Sequence, residues 1–358
     1  MKVLILGDVN SAHIQRWATG LSLKGITVAI WSLTESKADW YSNCDIRLFG
    51  QQKAGRSSKL SYFFSHQSAK KALKEFCPDI LHAHYASSYG LIGRKLKFQP
   101  FFISVWGSDI THFPKGMVRR LLMQKNLTSA NRIFATSQYL GDILREKWHR
   151  KSTIIPFGID TEKFSPGKIN HFFKSGEIVF GTVKALESVY RIDLVIAAFA
   201  QLNKNRPELP LRLLIVGEGS QKNKLIQQVK LCGIESLVKF TGKIPHDKIG
   251  DVHREINVFM NFSKSESFGV SVLEASSCAK PVIVSAVGGL LEVVKNGETG
   301  YLVNPNETEK VADLMERLIN DESLRMQLGT AGRAFVKSNY DWDRNLEEMI
   351  NAYNNTVR

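Results

Sequence analysis

Two glutamates eight positions apart, Glu266 and Glu274, flank a glycine in the stretch SESFGVSVLEASSCAKPVIVSAVGG, residues 265–289. The residues around them read as strand, loop, helix and strand. Asn257 to Met260 is a short apolar run and Phe262 to Ser265 is the loop that leaves it. From Phe268 onward Val270, Val272, Leu273 and Ala275 recur at near-helical spacing until Lys280-Pro281 stops the helix, and Pro281 to Val284 reads as a second strand. At Gly269 the missing Cβ lets a ligand approach the main chain. The N–H groups of Gly269, Val270 and Ser271 point out of the helix end, where they favour an anion such as a phosphate or pyrophosphate. Glu274, about a turn and a half further in, faces back toward that end. A carboxylate there repels a phosphate but accepts hydrogen bonds from vicinal hydroxyls such as those of a ribose. Glu266 is placed for hydroxyls on whatever hangs from the far phosphate. The spacing by itself is equally consistent with two glutamates that answer the helix macrodipole and cap its start.

Other strand ends carry groups of the same kind. Gly181-Thr182-Val183-Lys184 puts a fixed cation after an apolar run, where a fully negative pyrophosphate needs one as a bond to it breaks. Leu214-Ile215-Val216-Gly217-Glu218-Gly219 is a strand running into a glycine turn, which a plain tight turn also explains. His82-Ala83-His84 places two imidazoles on one face of a strand. No carboxylate or cysteine accompanies them at a ligand spacing, so no metal is expected. Val105-Trp106-Gly107-Ser108-Asp109 ends another strand, and Asp109 either orients a substrate hydroxyl or caps the helix that follows. Gly7-Asp8-Val9-Asn10-Ser11-Ala12-His13 joins the first strand to the first helix.

The elements that must position these residues alternate from end to end. Strands are expected at Val3–Leu6, Ile26–Trp31, Ile80–His84, Phe101–Trp106, Ile133–Thr136 and Thr153–Ile155, with helices at His13–Leu23 and Ser65–Phe76. After a linker, Pro156 to Gly167, the pattern restarts with strands Ile178–Val183, Leu211–Val216 and Val238–Thr241 and helices Ile192–Leu202 and Gln221–Leu231. Repeated βα units imply parallel sheets covered on both faces, and two such blocks imply two Rossmann-like domains. Ligands bind beyond the C-terminal strand edges of such sheets, which places the active site in a cleft between the domains. The 358 residues suffice for two cores. The opening MKVLILGDVN reads as a buried strand rather than a secretory signal, and no apolar run is long enough to span a bilayer. Cys44, Cys77, Cys232 and Cys278 have no ligand spacing and fit a reduced, cytoplasmic protein. The net charge of +14 is unevenly spread: residues 1–165 hold 24 Lys and Arg against 11 Asp and Glu, and residues 166–358 hold 24 against 23. The basic first half points to an anionic partner: a nucleic acid, an anionic membrane or an acidic acceptor.

The segment from Glu266 to Glu274 resembles the E-x7-E signature of the retaining glycosyltransferases of family 4, with the two-domain α/β architecture called GT-B. The likeness runs from Asn257 to Val303, including Val287-Gly288-Gly289 and Asn296-Gly297-Glu298-Thr299-Gly300, and returns in the linker IIPFGIDTEKFSP. It implies an acceptor domain at 1–165, a nucleotide-sugar domain at 166–335 and a C-terminal helix, within 336–358, that crosses back to the first domain through Leu346 to Tyr353. It implies a metal-independent transfer from a nucleotide-diphosphate sugar to a hydroxyl of a glycan or lipid-linked acceptor, in surface polysaccharide or glycoconjugate synthesis, with no cofactor. Lys184 and the helix end at Gly269 then hold the leaving diphosphate, Glu266 the sugar and Glu274 the ribose, with Phe268, Val270 and Ser271 around them and Gly217-Glu218 against the base. The second lysine of the family pattern is replaced by Val189; either Arg191 supplies that charge or Lys184 acts alone. On the acceptor side the resemblance points to Asn10, His13, His84, Trp106 and Asp109, although relatives carry a histidine at the position of Trp106. Two mixed basic and apolar segments of the first half, 51–74 and 115–125, are expected to lie on an anionic membrane surface, on its cytoplasmic side. A sugar-nucleotide epimerase of the same fold, which needs no acceptor, and a basic nucleic-acid-binding protein, for which no recognition motif is present, are the alternatives.

Overall fold

The computed structural model describes residues 1–50, 61–111, 116–168 and 172–357, with the backbone alone at 61–64 and 357. The chain forms two compact units, Met1–Phe157 with Asp343–Arg358, and Gly158–Trp342. The divisions fall at 157/158 and 342/343 rather than at 165/166 and 335/336, because residues 158–165 and 336–342 pack with the second unit. Ile159 donates its N–H to the Tyr340 carbonyl at 2.7 Å, and Trp342 donates back to Ile159 at 3.0 Å.

The first unit runs β1 (Lys2–Leu6), α1 (Ala12–Leu23), β2 (Thr27–Trp31), β3 (Ile46–Phe49), α2 (Ser61–Phe76), β4 (Ile80–His84), α3 (Tyr89–Leu96), β5 (Phe101–Val105), α4 (Ser108–Thr111), α5 (Met117–Ser129), β6 (Arg132–Ala135), α6 (Gln138–Trp148) and β7 (Thr153–Ile154). Its sheet has the order β3-β2-β1-β4-β5-β6-β7, parallel throughout. Strands such as ILHAH and FFISV are buried at every position, as a sheet covered on both faces requires. The strand β3 and the helices α3 and α6 are additions to the elements expected from sequence, while α5 falls on the basic and apolar helix expected at 115–125; β3 escapes the apolar pattern because it is an edge strand carrying Arg47.

The second unit runs β8 (Ile178–Val183), α7 (Ile192–Asn205), β9 (Leu211–Val216), α8 (Lys222–Leu231), β10 (Val238–Gly242), α9 (Ile249–Glu255), β11 (Val258–Asn261), α10 (Val270–Ser277), β12 (Val282–Ser285), α11 (Leu290–Val293), β13 (Gly300–Val303), α12 (Thr308–Asn320) and α13 (Glu322–Asn339). Its parallel order, β10-β9-β8-β11-β12-β13, repeats the doubly wound scheme. The last helix, α14 (Trp342–Val357), belongs to the first unit from Asp343 onward. Leu346, Met349, Ala352 and Tyr353 bury one of its faces at helical spacing. The Tyr353 hydroxyl lies 2.6 Å from Nδ1 of His82.

Each sheet reverses its winding once, between β1 and β4 in the first unit and between β8 and β11 in the second. At such a switch point the loops leaving the two central strands diverge to opposite faces and open a crevice at their C-terminal ends. Lys184 follows β8 and Glu266 lies on the loop after β11, so the crevice of the second unit carries both.

Candidate active site

In the second unit the loops after β8 and β11 bring Lys184 and Glu266 into one ion pair, Nζ to Oε2 at 2.5 Å, with side chains only 14% and 13% exposed. Ser263 Oγ lies 3.3 Å from the same carboxylate oxygen and donates its proton to Asn261 Oδ1 at 2.6 Å, and Lys184 Nζ stands 4.7 Å from the centre of the Tyr190 ring. An ammonium has three N–H groups. With one committed to Glu266 and the aromatic face beside it, donor capacity remains for an anion. The Glu266 loop is held from behind: Gly289 donates its N–H to the Glu266 carbonyl at 2.9 Å, and a Cβ on Gly289 would collide with the backbone of Ser267 and Phe268. That contact explains the second glycine of the pair, and the first, Gly288, sits at φ +51°.

Gly269 begins α10 at φ +106°, a conformation that favours glycine, and a Cβ there would meet Leu290 Cδ2 at 2.7 Å. Val272 and Leu273 make the first intrahelical bonds, both to the Gly269 carbonyl, so the N–H groups of Val270 and Ser271 precede the ladder and no side chain caps them. The Ser271 hydroxyl is enclosed without a partner, and Phe268 is buried with its ring 5.6 Å from that of Tyr340. Glu274 points into the second-unit interior, where His246 Nε2 meets its Oε1 at 3.1 Å and His253 Nε2 lies 3.5 Å from its Oε2. Burial works to raise the Glu274 carboxyl, but the imidazoles outweigh it and hold it down at about 2. The carboxylate is therefore ionised at neutral pH, and both its oxygens are acceptors.

Three residues expected in this site have other work. Arg191 grips Asp193 with Nε and Nη2 at 3.0–3.1 Å, at a backbone φ of +47° just before α7. The site of the missing lysine, Val189, instead accepts the Lys264 N–H on its carbonyl at 2.8 Å, which ties the two crevice loops together. Gly217 is needed because the loop after β8 passes against it: a Cβ there would collide with the Lys184 carbonyl. Glu218 pairs with Lys222 at 2.9 Å, one helical turn on. The glycine turn thus braces the segment that carries Lys184, the plain structural explanation of its sequence.

In the first unit, His13, His84 and Trp106 come together. His13 stacks on Phe157 at 3.8 Å, and Trp106 stands edge-on to His13, His84, Tyr85 and Phe157 at 5.2–5.4 Å. The Trp106 indole thus stands at the centre of an aromatic cluster. His84 is buried, and desolvation with the nearby His13 charge pushes it down to about 3, so it is neutral at physiological pH; its Nδ1 has no hydrogen-bond partner. His82, bonded to Ser104 and Tyr353 and lowered by burial and by His84, is a core residue. Asp109, expected either to orient a substrate hydroxyl or to cap a helix, braces its loop. It is buried, Oδ2 accepts the Ala86 N–H at 2.9 Å, and Oδ1 accepts those of Trp106 and Gly107 at 3.2 and 2.9 Å. Burial raises its carboxyl and these backbone donors oppose the rise. Asn10 is likewise spent within the unit, donating to Thr34 and the Glu35 carbonyl and accepting from Lys37 N–H.

Tyr190, His246 and His253 went unnoticed in the sequence. His246 and His253, seven apart around α9, had a signal in their two-turn spacing. Tyr190 had none, since it reaches Lys184 only through the fold of the loop after β8. Among the described residues no group of three or more His, Cys, Asp or Glu side chains is arranged to hold a metal ion.

Two doubly wound parallel sheets, the second with a cation, two carboxylates and an open helix end by its switch point, form the GT-B architecture. Comparison with known proteins agrees: residues 167–335 match the model for glycosyl transferases group 1, and residues 2–137 that for glycosyl transferase 4-like domains. The chain belongs to the GT-B glycosyltransferases of the family 4 type. A D-inositol 3-phosphate glycosyltransferase of Rhodococcus erythropolis is 28% identical, covering 97% of this chain and 86% of its own. The sucrose-phosphate synthase of Thermosynechococcus elongatus superposes with a TM-score of 0.85 at 20% identity, over 99% of this chain and 98% of that one. Anabaena HepE in complex with UDP superposes with a TM-score of 0.81 at 17% identity, over 99% of this chain and all of that one, and it has also been solved with UDP-glucose.

Proposed function

We propose that the protein transfers a sugar, with retention of its anomeric configuration, from a nucleoside diphosphate sugar to a hydroxyl of a glycan or lipid-linked acceptor in surface glycoconjugate synthesis. The observation that carries this reading is the Lys184–Glu266 pair at the second unit's switch point, with the uncapped N-terminus of α10 and the ionised Glu274 on the same loop and helix. Cation and helix end suit a diphosphate; the two carboxylates suit the hydroxyls of a sugar and a ribose. HepE, of the same fold, binds UDP and UDP-glucose, which supports a donor of this class.

In this reading Lys184 keeps its bond to Glu266 and directs a further N–H to the diphosphate. The charge that builds on the leaving oxygen then meets a fixed cation that needs no rearrangement. Glu266, oriented by Lys184, accepts from the sugar hydroxyls. The leaving oxygen takes the acceptor hydroxyl's proton as the new bond forms on the face that the diphosphate leaves, so no side-chain base is assigned. Asp109, with its oxygens on backbone donors, is not a candidate for one. The aromatic cluster of Trp106, His13 and Phe157 offers apolar ring faces to an acceptor.

The acceptor's setting is read from α5. Met117, Val118, Leu121 and Leu122 are 88%, 73%, 55% and 37% exposed beside the exposed Arg119 and Arg120, a face suited to an anionic bilayer on the cytoplasmic side. Of the companion expectation, Leu60 lies outside the described residues, as does Lys115, and Tyr62, Phe63 and Phe64 are described in their backbone alone. No described helix is long and apolar enough to cross a membrane. The test is to incubate the protein with UDP-, GDP- and ADP-sugars and an acceptor panel, with and without EDTA, and to read the product linkage by NMR. Retained configuration with activity surviving chelation is expected. An inverted product, or loss of activity restored by Mg²⁺, overturns the assignment.

A further inference from the structure

The Glu274 carboxylate is held by side chains to which the transfer reaction gives no task. His253, wholly buried, stands near Oε2, while His246, its side chain 51% exposed, bonds Oε1 at the mouth of the site. On the far side of the His246 ring, Lys163 Nζ lies 3.2 Å from Nδ1. An ammonium only donates, so Nδ1 accepts and the ring proton sits on Nε2, aimed at Glu274. Lys163 therefore fixes the tautomer of His246, and His246 fixes the plane of the carboxylate. Lys163 is itself anchored: its carbonyl accepts from Arg254 Nη2 at 3.2 Å, and its ammonium stands 5.5 Å from the Phe164 ring, which meets His246 edge-on at 5.6 Å. A carboxylate oxygen accepts more than one hydrogen bond, so Oε1 can bond His246 and a ligand hydroxyl together.

We propose that His246 is a positioning residue for the donor: held by Lys163 on one nitrogen and Glu274 on the other, it presents the carboxylate to the ribose hydroxyls and so sets the preference for ribonucleotides over their dideoxy counterparts. This rests on Glu274 being the ribose acceptor, and the experiment separates the two ideas. Calorimetry first ranks UDP, GDP and ADP on the wild type. The tightest of these and its 2′,3′-dideoxy form are then titrated into Glu274→Ala, His246→Ala, His246→Gln and Lys163→Met. Glu274→Ala is expected to lose most of the preference for the ribonucleotide. His246→Ala is expected to weaken the ribonucleotide about tenfold, the scale of one hydrogen bond to a charged group, and the dideoxy form by less than about twofold. His246→Gln, whose amide reaches the Nε2 position, keeps the preference, and Lys163→Met falls between. If no nucleotide binds the wild type, or if Glu274→Ala keeps the preference, the ribose reading fails and this inference with it. If Glu274→Ala loses the preference while His246→Ala keeps it, or if His246→Ala weakens both ligands alike, the inference alone is overturned.

Discussion

Lys184 and Glu266 are assigned to different parts of one substrate, yet in the structure they hold each other, and a double-mutant cycle distinguishes the two roles. Exposed ion pairs contribute about 0.2–1 kcal/mol, and removing one partner of a buried pair costs about 3–5 kcal/mol. With side chains one-seventh exposed, Lys184→Met or Glu266→Gln should each destabilise the second unit by about 2–3 kcal/mol, between those limits. For a unit of this size that lowers Tm by about 4–12 °C. In Lys184→Met/Glu266→Gln neither charge is left enclosed and unpaired, so the double variant should lose no more than either single one, with a coupling energy of about 2–3 kcal/mol. Catalysis should not follow stability. Lys184→Met removes the fixed cation opposite the leaving group, which at comparable sites costs about 10²–10³ in kcat. The double variant should be at least as inactive as the single one. Urea denaturation of the four proteins gives the first quantity and initial rates under donor saturation the second. Additive stability changes would mean that the pair is not held in the free protein. An active double variant would mean that Lys184 does not act on the leaving group.

The remaining predictions concern pH and the membrane. His84 is held near 3 against an ordinary 6.5, so between these values the unfolded chain binds a proton that the native one refuses, and stability falls as pH is lowered. From pH 7 to 5.5 this amounts to about 1.3 kcal/mol, and His84→Gln should flatten the dependence of Tm on pH by that much; an unchanged slope contradicts a neutral, buried His84. Glu274, depressed from 4.5 to about 2, acts in the same direction at lower pH: its contribution is complete above 4.5 and is lost as pH falls through 2. For the membrane, the wild type should sediment with phosphatidylglycerol-containing vesicles at low salt and not with neutral ones, and added salt should release it. Arg119→Glu/Arg120→Glu and Met117→Ser/Val118→Ser should each weaken the association; a wild type indifferent to anionic vesicles points to a soluble acceptor.

The sequence by itself determined the alternation of strands and helices, the parallel sheets and the loop-to-helix junction at Gly269, because these follow from local periodicity, proline and glycine. Ile178–Val183 was legible to the residue for this reason: a strand buried on both faces is written as an apolar run. The sequence also marked Lys184, Glu266 and Glu274, since strand ends and helix starts are where such groups act. What it did not determine is whom each residue meets. Lys184 and Glu266 are 82 residues apart, His246 and Glu274 28, and His82 and Tyr353 271, and each pair exists only because strand order and helix packing bring separate loops together. The same contacts gave Asp109, Asn10 and Arg191 partners within their own units: backbone N–H groups for Asp109, Thr34, Glu35 and Lys37 for Asn10, and Asp193 for Arg191. Residue type and spacing set which chemistry is available; the hydrogen-bond partners, which only the tertiary structure supplies, decided which of those groups remain able to perform it.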